Sequence, residues 1–124
     1  MLGSSQLMAF ASTKQPEKAR AFYQEVLGLT LVSNEPMALV FDANGSMLRI
    51  SIVKDLTPQP FTVLGWQVLD IRGMRRDLAA KGVSFENYGF PGQDGENIWT
   101  TADGTQVAWF KDTDGNLLSL TQFP

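Results

Sequence analysis

Apolar positions recur along this chain with two different periods. Ala19, Phe22, Tyr23, Val26 and Leu27 fall on one helical stripe and predict a helix from about Pro16 to Leu27. Pro16 suits a first helical turn, and Gly28 suits the position just past the end. A second helix is predicted from about Ile71 to Lys81, with Ile71, Met74 and Leu78 facing inward. Asp70 is its candidate N-cap and Gly82 its stop, while Gly73 weakens it. Elsewhere the pattern predicts strands. One, Gln6–Ala11, precedes the first helix, and another, Thr62–Leu69, precedes the second. The others are Met37–Phe41, Met47–Val53, Val83–Tyr88, Asn97–Thr101, Gln106–Lys111 and Leu117–Gln122. Turns are marked at Asp42–Gly45, Asp103-Gly104 and Asp112–Gly115, and Phe90–Glu96 reads as a loop.

The elements repeat. Each half runs strand, helix ending in glycine, then strands joined by an Asp-x-x-Gly turn. The helix-ending glycines Gly28 and Gly82 stand 54 residues apart and the turn glycines Gly45 and Gly115 stand 70 apart, so the second half holds a longer insert. This order predicts an α+β fold of two tandem βαβββ modules, with a curved mixed sheet, a concave cavity and helices on the convex side. Other α+β sandwiches with two helices satisfy the same periodicity. We read residues 1–124 as one domain, with module one at about 1–55 and module two at about 60–124.

Composition narrows the chemistry. A net charge of −3 gives no footprint for nucleic acid. Arg72, Arg75 and Arg76 make the one local basic cluster, read as a solvated helix face. The chain has no Cys, which removes disulfides, thiol catalysis and thiolate metal sites. It has no His either. The N-terminal stretch does not read as a signal peptide, and no apolar run approaches the roughly 18 residues of a membrane span. The expectation is a soluble cytoplasmic protein that does not engage membranes.

Two segments carry a family resemblance. Ala21-Phe22-Tyr23-Gln24-Glu25-Val26-Leu27-Gly28-Leu29 resembles the first-helix signature of the vicinal oxygen chelate superfamily, which includes glyoxalases, ring-cleaving dioxygenases and bleomycin-resistance proteins. Val107 to Gln122, with Asp112-Thr113-Asp114-Gly115 at its turn, resembles that superfamily's closing hairpin, with Thr113 where proline is usual. Most enzymes of the superfamily use a divalent metal, held by one residue on the first and one on the last strand of each half. The resemblance places these positions at Met8, Arg49, Val63 and Ser119. A hard cation needs carboxylate, imidazole or amide donors. Val offers none, Met a soft thioether, Ser a weak neutral oxygen, and Arg a repelling charge. The expectation is that no metal and no other cofactor is bound there.

Strand alternation from these positions fills out a cavity face. Arg49 brings Met47 and Ser51; Met8 brings Gln6 and Phe10; Val63 brings Gly65 and Gln67; Ser119 brings Leu117 and Thr121. A four-residue turn at Asp112–Gly115 and a two-residue turn at Asp103-Gly104 add Trp99, Thr101, Gln106, Ala108 and Phe110. The same arithmetic sends Val107 and Trp109 to the helix side; one bulge reverses those assignments. Phe10, Trp99 and Phe110 then form aromatic walls, Met8 and Met47 filler, and Arg49, Ser51, Gln67, Gln106, Ser119 and Thr121 polar points. Arg49 calls for an anion: a ligand carboxylate or phosphate, an internal acid such as Glu96, or simply solvent.

The first functional expectation is a metal-free small-molecule binder, taking a partly aromatic ligand that carries an anionic group. The alternatives are an acid–base enzyme using Tyr23, Glu86, Tyr88, Asp94 or Glu96, and a metal-dependent glyoxalase-type lyase or dioxygenase. The resemblance also implies a homodimer, for which Phe61, Phe90 and Phe123 are candidate contacts.

Overall fold

A computed structural model describes all residues, 1–124. The chain divides into two compact units, Met1–Pro58 and Gln59–Pro124. Each is a βαβββ module. Module one comprises β1 (Met8–Thr13), α1 (Pro16–Ala21), β2 (Thr30–Asn34), β3 (Ala38–Ala43) and β4 (Ser46–Ile52). Its sheet has the order β1-β4-β3-β2, with β1 parallel to β4 and the other pairs antiparallel. Module two repeats this with β5 (Thr62–Gln67), α2 (Ile71–Ala80), β6 (Trp99–Thr100), β7 (Gln106–Lys111) and β8 (Leu117–Gln122), in the order β5-β8-β7-β6. The expected α+β class and tandem modules are present. No helix is long and apolar enough to cross a membrane.

In each module one sheet face carries the core. In module one Leu39, Phe41, Leu48 and Ile50 are buried with Ala19 and Tyr23 of the helical segment. The Tyr23 and Phe41 rings lie 5.8 Å apart. The first helix does not run α-helical to Leu27 as predicted. At Phe22–Val26 it widens into a π-helical turn, the Leu27 amide donating to the Phe22 carbonyl five residues back at 2.9 Å. Gly28, at φ +77°, then turns the chain out.

In module two Ile71 and Leu78 of α2 are buried together with Ala108, Phe110, Leu118 and Leu120. Asp70 caps α2, its carboxylate accepting the Gly73 amide at 3.1 Å. The same contact explains Gly73, which the sequence marks as a weakness. A Cβ there would collide with the Asp70 carboxylate, so the glycine admits the cap.

Two strand predictions need correction. Thr30–Asn34 is a strand that alternation misses, because a bulge between Leu31 and Ser33 breaks its period against β3. Val83–Tyr88 forms no strand. It touches the sheet through a single bridge, Phe85 to Phe110, and through the Glu86 amide donating to the Trp109 carbonyl at 2.8 Å.

Candidate functional site

The sheet face opposite the core bears most of the predicted site residues. In module one, β1 pairs Met8 with Met47 and Phe10 with Arg49, and β3 pairs Val40 with Arg49 and Ala38 with Ser51. Directly paired residues share a face, so Met8, Phe10, Met47, Arg49 and Ser51 come together on one surface. A hollow of about 370 Å³ opens beside them, lined by Gln6, Met8, Val32, Val40, Asp42 and Met47 among others. Arg49 already has an acid. Its Nη2 lies 3.3 Å from Glu35 Oε1, and Ser33 Oγ donates to the other Glu35 oxygen at 2.9 Å. The Ser33 hydroxyl and then the Arg49 guanidinium hold the Glu35 carboxyl below its ordinary range. Glu35, outside the cavity assignment, thus supplies the internal partner for which Glu96 was the named candidate.

In module two the hairpins shift the predicted register. Trp109 pairs with Ser119 and Ala108 with Leu120, where the turn arithmetic paired Ala108 with Ser119. The cause lies in the loop. Asp112 and Asn116 close it, the Asp112 amide donating to the Asn116 carbonyl at 3.0 Å, so Asn116 is a loop residue and not the first of β8. Gly115, at φ +88°, fills a left-handed position at the end of a three-residue turn. The second hairpin repeats the lesson. Thr101 bonds to Thr105 around Ala102-Asp103-Gly104, giving a three-residue turn where two residues were expected.

The consequences for the site are direct. Phe110 lies on the core face, is 0% exposed, and packs 5.4 Å from Phe85. It is not a cavity wall. Ala108 goes with it, and Gln106, paired with Gln122, occupies the same helix-facing side. Trp109 and Val107 take the opposite face, with Ser119 and Thr121. Trp99 also lies there, paired with Val107, because the two one-residue shifts cancel. On β5, Gly65 pairs with Ser119 and Gln67 with Thr121, while Val63 sits at an irregularity between Thr62 and Leu64.

The residues that sequence reasoning missed are Trp109, Tyr88 and Phe90. The insert between α2 and β7 folds over the Trp109 face and brings these rings together. Tyr88 and Phe90 stack at 5.5 Å and 28°. Trp109 lies 5.5 Å from Tyr88 and 5.8 Å from Phe90. Trp99 lies 5.9 Å from Trp109, and its indole N–H donates to the Pro91 carbonyl at 3.1 Å. Tyr88 and Phe90 are each 42% exposed, an apolar surface open to solvent. Partial burial, and then the nearby Glu86 charge, push the Tyr88 phenol above its ordinary pKa, so it stays a neutral hydroxyl. Beside the rings is a hollow of about 380 Å³, lined by Pro60, Phe61, Thr62, Tyr88, Phe90, Trp109 and Leu117. The one sequence signal for this arrangement is the greater length of the second half's insert.

Helix α2 and the Gln93 side chain fix this insert. Gln93 Nε2 donates to the carbonyls of Glu86 and Asn97, and its Oε1 accepts the Tyr88 amide at 2.9 Å. Arg72 reaches Asp94 at 2.7 Å and Glu96 at 3.1 Å, and Arg76 reaches Glu96 at 3.4 Å. Arg75 donates to the Glu96 carbonyl and lies 5.4 Å above the Phe85 ring. The arginine cluster is therefore a clamp on the insert, and not merely a solvated face.

For Asp94 and Glu96, partial burial pushes the carboxyl pKa up. The hydrogen bonds and charge from the arginines outweigh it, and both end below the ordinary range. Lowered folded-state values mean that the clamp is complete above the unfolded carboxylate range, about pH 4, and is lost as pH falls through the lowered values. Hydrogen exchange at the Glu96 and Ile98 amides, which Asp94 accepts, is expected to keep its protection at neutral pH and lose it in acid. Arg72→Ala is expected to reproduce that loss at neutral pH. Protection at these amides that is unchanged in Arg72→Ala at neutral pH would contradict the clamp.

The four positions implied to hold a metal do not fit one. Met8 and Arg49 lie on the exposed-side face of module one, and Arg49 is ion-paired. Ser119 stands between Gly65 and Trp109. Val63 has no donor. No group of three His, Cys, Asp or Glu side chains gathers at metal-binding distance anywhere in the chain. The Asp112–Asn116 loop is not an exception. Asp112 Oδ1 accepts the Asp114 and Asn116 amides, each at 2.9 Å, and Oδ2 accepts Asn116 Nδ2 at 2.8 Å.

A family model described as the Glyoxalase/Bleomycin resistance protein/Dioxygenase superfamily matches residues 6–120. A search of curated protein sequences finds no match. Among solved structures, the fosfomycin resistance protein FosX from Listeria monocytogenes superposes with a TM-score of 0.77 at 17% identity, covering 98% of this chain and 94% of that one. TnmS3, an antibiotic binding protein from Streptomyces sp. CB03234, gives 0.71 at 22%, covering 98% of both chains. A lactoylglutathione lyase from Agrobacterium tumefaciens gives 0.73 at 16%, covering 95% of this chain and 93% of that one. Identities this low establish a shared fold alone.

Proposed function

From the premise that the chain belongs to the glyoxalase/bleomycin resistance protein/dioxygenase superfamily, we propose that it is a small-molecule binding protein that takes a partly aromatic ligand without a metal. The observation that carries this reading is the cluster of Tyr88, Phe90, Trp99 and Trp109 on the free face of module two. Rigid aromatic side chains offer large contact area at little entropic cost, and stacked or edge-on ring pairs add about 0.5–1.5 kcal/mol each beyond burial. The four metal positions, with Met8, Arg49, Val63 and Ser119, supply no competent donor set. TnmS3 and FosX, named for antibiotic binding and fosfomycin resistance, share the fold and are consistent with the binding role.

Arg49 is not the hook for an anionic ligand in this proposal, since Glu35 neutralises it. The acid–base alternative is weakened at three of its five residues. Asp94 and Glu96 are held as carboxylates by arginines, and Tyr23 is fully buried. A cytoplasmic setting and a homodimer remain part of the proposal. The test is a thermal-shift panel of aromatic compounds against wild-type protein and Trp109→Leu. We expect stabilising hits of roughly 1 kcal/mol or more at saturating ligand to vanish in the variant. Hits that persist unchanged in Trp109→Leu would sink the assignment to this face.

A further inference from the structure

Module one carries a hollow of its own, and its rim has a different chemistry from the ring-lined hollow of module two. Met8 and Met47, directly paired on β1 and β4, line it with Val40 of β3 and with Val32, which stands at the bulge in β2. All four side chains are apolar, and the thioethers are flexible and polarisable, so these walls adapt to the shape of an apolar guest. The volume, about 370 Å³, falls within the roughly 300–1,000 Å³ of small-molecule sites. The polar rim is built on one glycine. The Gly45 carbonyl accepts Gln6 Nε2 at 3.0 Å, and the Gly45 amide donates to Asp42 Oδ1 at 3.1 Å. Gln6 and Asp42 are thereby drawn to the same end of the hollow, and both line it. Each keeps an oxygen that no protein donor meets, Gln6 Oε1 and Asp42 Oδ2. The turn explains only the acceptor at Asp42 Oδ1. An asparagine would serve it as well, so the turn does not require the negative charge. No lysine or arginine pairs with Asp42. Arg49, two residues from Met47, is paired with Glu35 at 3.3 Å and does not line the hollow. Among Arg49, Glu35 and Asp42 one negative charge is left over, on Asp42.

We propose that this hollow is a second binding site, selective for a primary ammonium carried on an aliphatic body. An ammonium has three donors and no acceptor, which matches a rim of two free acceptor oxygens, one of them charged. The hydrocarbon body leaves water for the methionine and valine walls. The charge stays at the exposed rim beside Asp42 and keeps part of its hydration, which avoids the cost of burying an ion. A carboxylate or phosphate ligand is repelled by Asp42. A hard divalent metal ion takes about six oxygens, and the rim offers it only the free oxygens of Gln6 and Asp42. The site goes beyond the ligand proposed for the aromatic face and does not depend on it.

The experiment labels the methionine methyl groups with ¹³C and follows them by NMR. The chain has five methionines, so each methyl reports on one place: Met8 and Met47 on the hollow, Met1, Met37 and Met74 on the rest. Cyclohexylmethylamine, cyclohexylmethanol and cyclohexylacetate present similar bodies with a positive, neutral or negative head at neutral pH. We expect the ammonium to shift Met8 and Met47, to leave Met74 in place, and to bind about threefold or more tightly than the alcohol, with the carboxylate weakest. Asp42→Asn keeps an oxygen for the Gly45 amide and removes the charge. The turn is therefore expected to stay, and the preference for the ammonium over the alcohol to vanish. The proposal is overturned if ammonium and alcohol bind alike, if Asp42→Asn keeps the preference, or if Met8 and Met47 do not move at about 10 mM probe. Trp109→Leu is expected to leave the Met8 and Met47 shifts unchanged. Their loss in that variant would overturn the proposal by assigning the binding to the aromatic face.

Discussion

Phe110→Ala is expected to destabilise the protein by about 3–5 kcal/mol, a large share of the 5–15 kcal/mol that holds a typical domain. The side chain is fully buried against Phe85, on the sheet face that also carries Leu118 and Leu120. Removing it leaves a cavity in a core that cannot collapse around it, because β7 and β8 fix the backbone on both sides. The midpoint of thermal unfolding should fall by roughly 10 °C or more. Trp109→Leu, one residue along, should move the midpoint far less, since its ring lies on the partly exposed face. Together the two variants separate core from site. A Phe110→Ala protein as stable as the wild type, with ligand binding lost, would restore the register with Phe110 in the cavity.

Asp112→Ala is expected to cost about 3 kcal/mol. Its carboxylate is 8% exposed and accepts the Asp114 amide, the Asn116 amide and the Asn116 side-chain amide at 2.8–2.9 Å. Hydrogen bonds to a charged acceptor are worth more than neutral ones, and truncation strands the donors in a buried loop. Asp112→Asn should cost less but still register, because one side-chain oxygen facing Asn116 Nδ2 becomes an NH2 group and two donors then meet. Urea unfolding of the three proteins measures both differences. Equal midpoints for wild type and Asp112→Ala would show that the carboxylate does not organise the loop.

The same loop explains what was legible in the sequence. The repeated modules and both helix starts follow from periodicity, Pro16 and the Asp70 cap, all signals local to a few residues. The faces of β1 and β4 follow as well, by alternation from Met8 and Arg49, which the parallel pairing of the two strands keeps in step. On β7 the alternation is right but its origin is displaced by one residue. The Asp112–Asn116 closure is reinforced by the Asp112 carboxylate, which strand periodicity does not register. Asp followed three residues later by Gly-Asn is compatible with either loop length until that carboxylate is placed. Tyr88 and Phe90 were hidden for another reason. They lie in a Gly- and Pro-containing insert with no period of its own, and the insert's path depends on Gln93 and on arginines 20 or so residues earlier.

Two modules of the same topology thus carry different free faces. Module one offers methionines and an arginine already paired with Glu35; module two offers four aromatic rings. At the four positions where the resemblance places metal ligands this chain carries Met8, Arg49, Val63 and Ser119, a set without a carboxylate, imidazole or amide donor.

The most direct test is to take an aromatic compound that stabilises the wild-type protein and measure its affinity by calorimetry before and after exhaustive chelation, then again with Mn²⁺ restored. Metal-free binding at the aromatic face predicts the same Kd in all three states, within about twofold. Affinity that disappears on chelation and returns with the ion would show that binding depends on a metal held by residues other than Met8, Arg49, Val63 and Ser119, and would contradict metal-free binding.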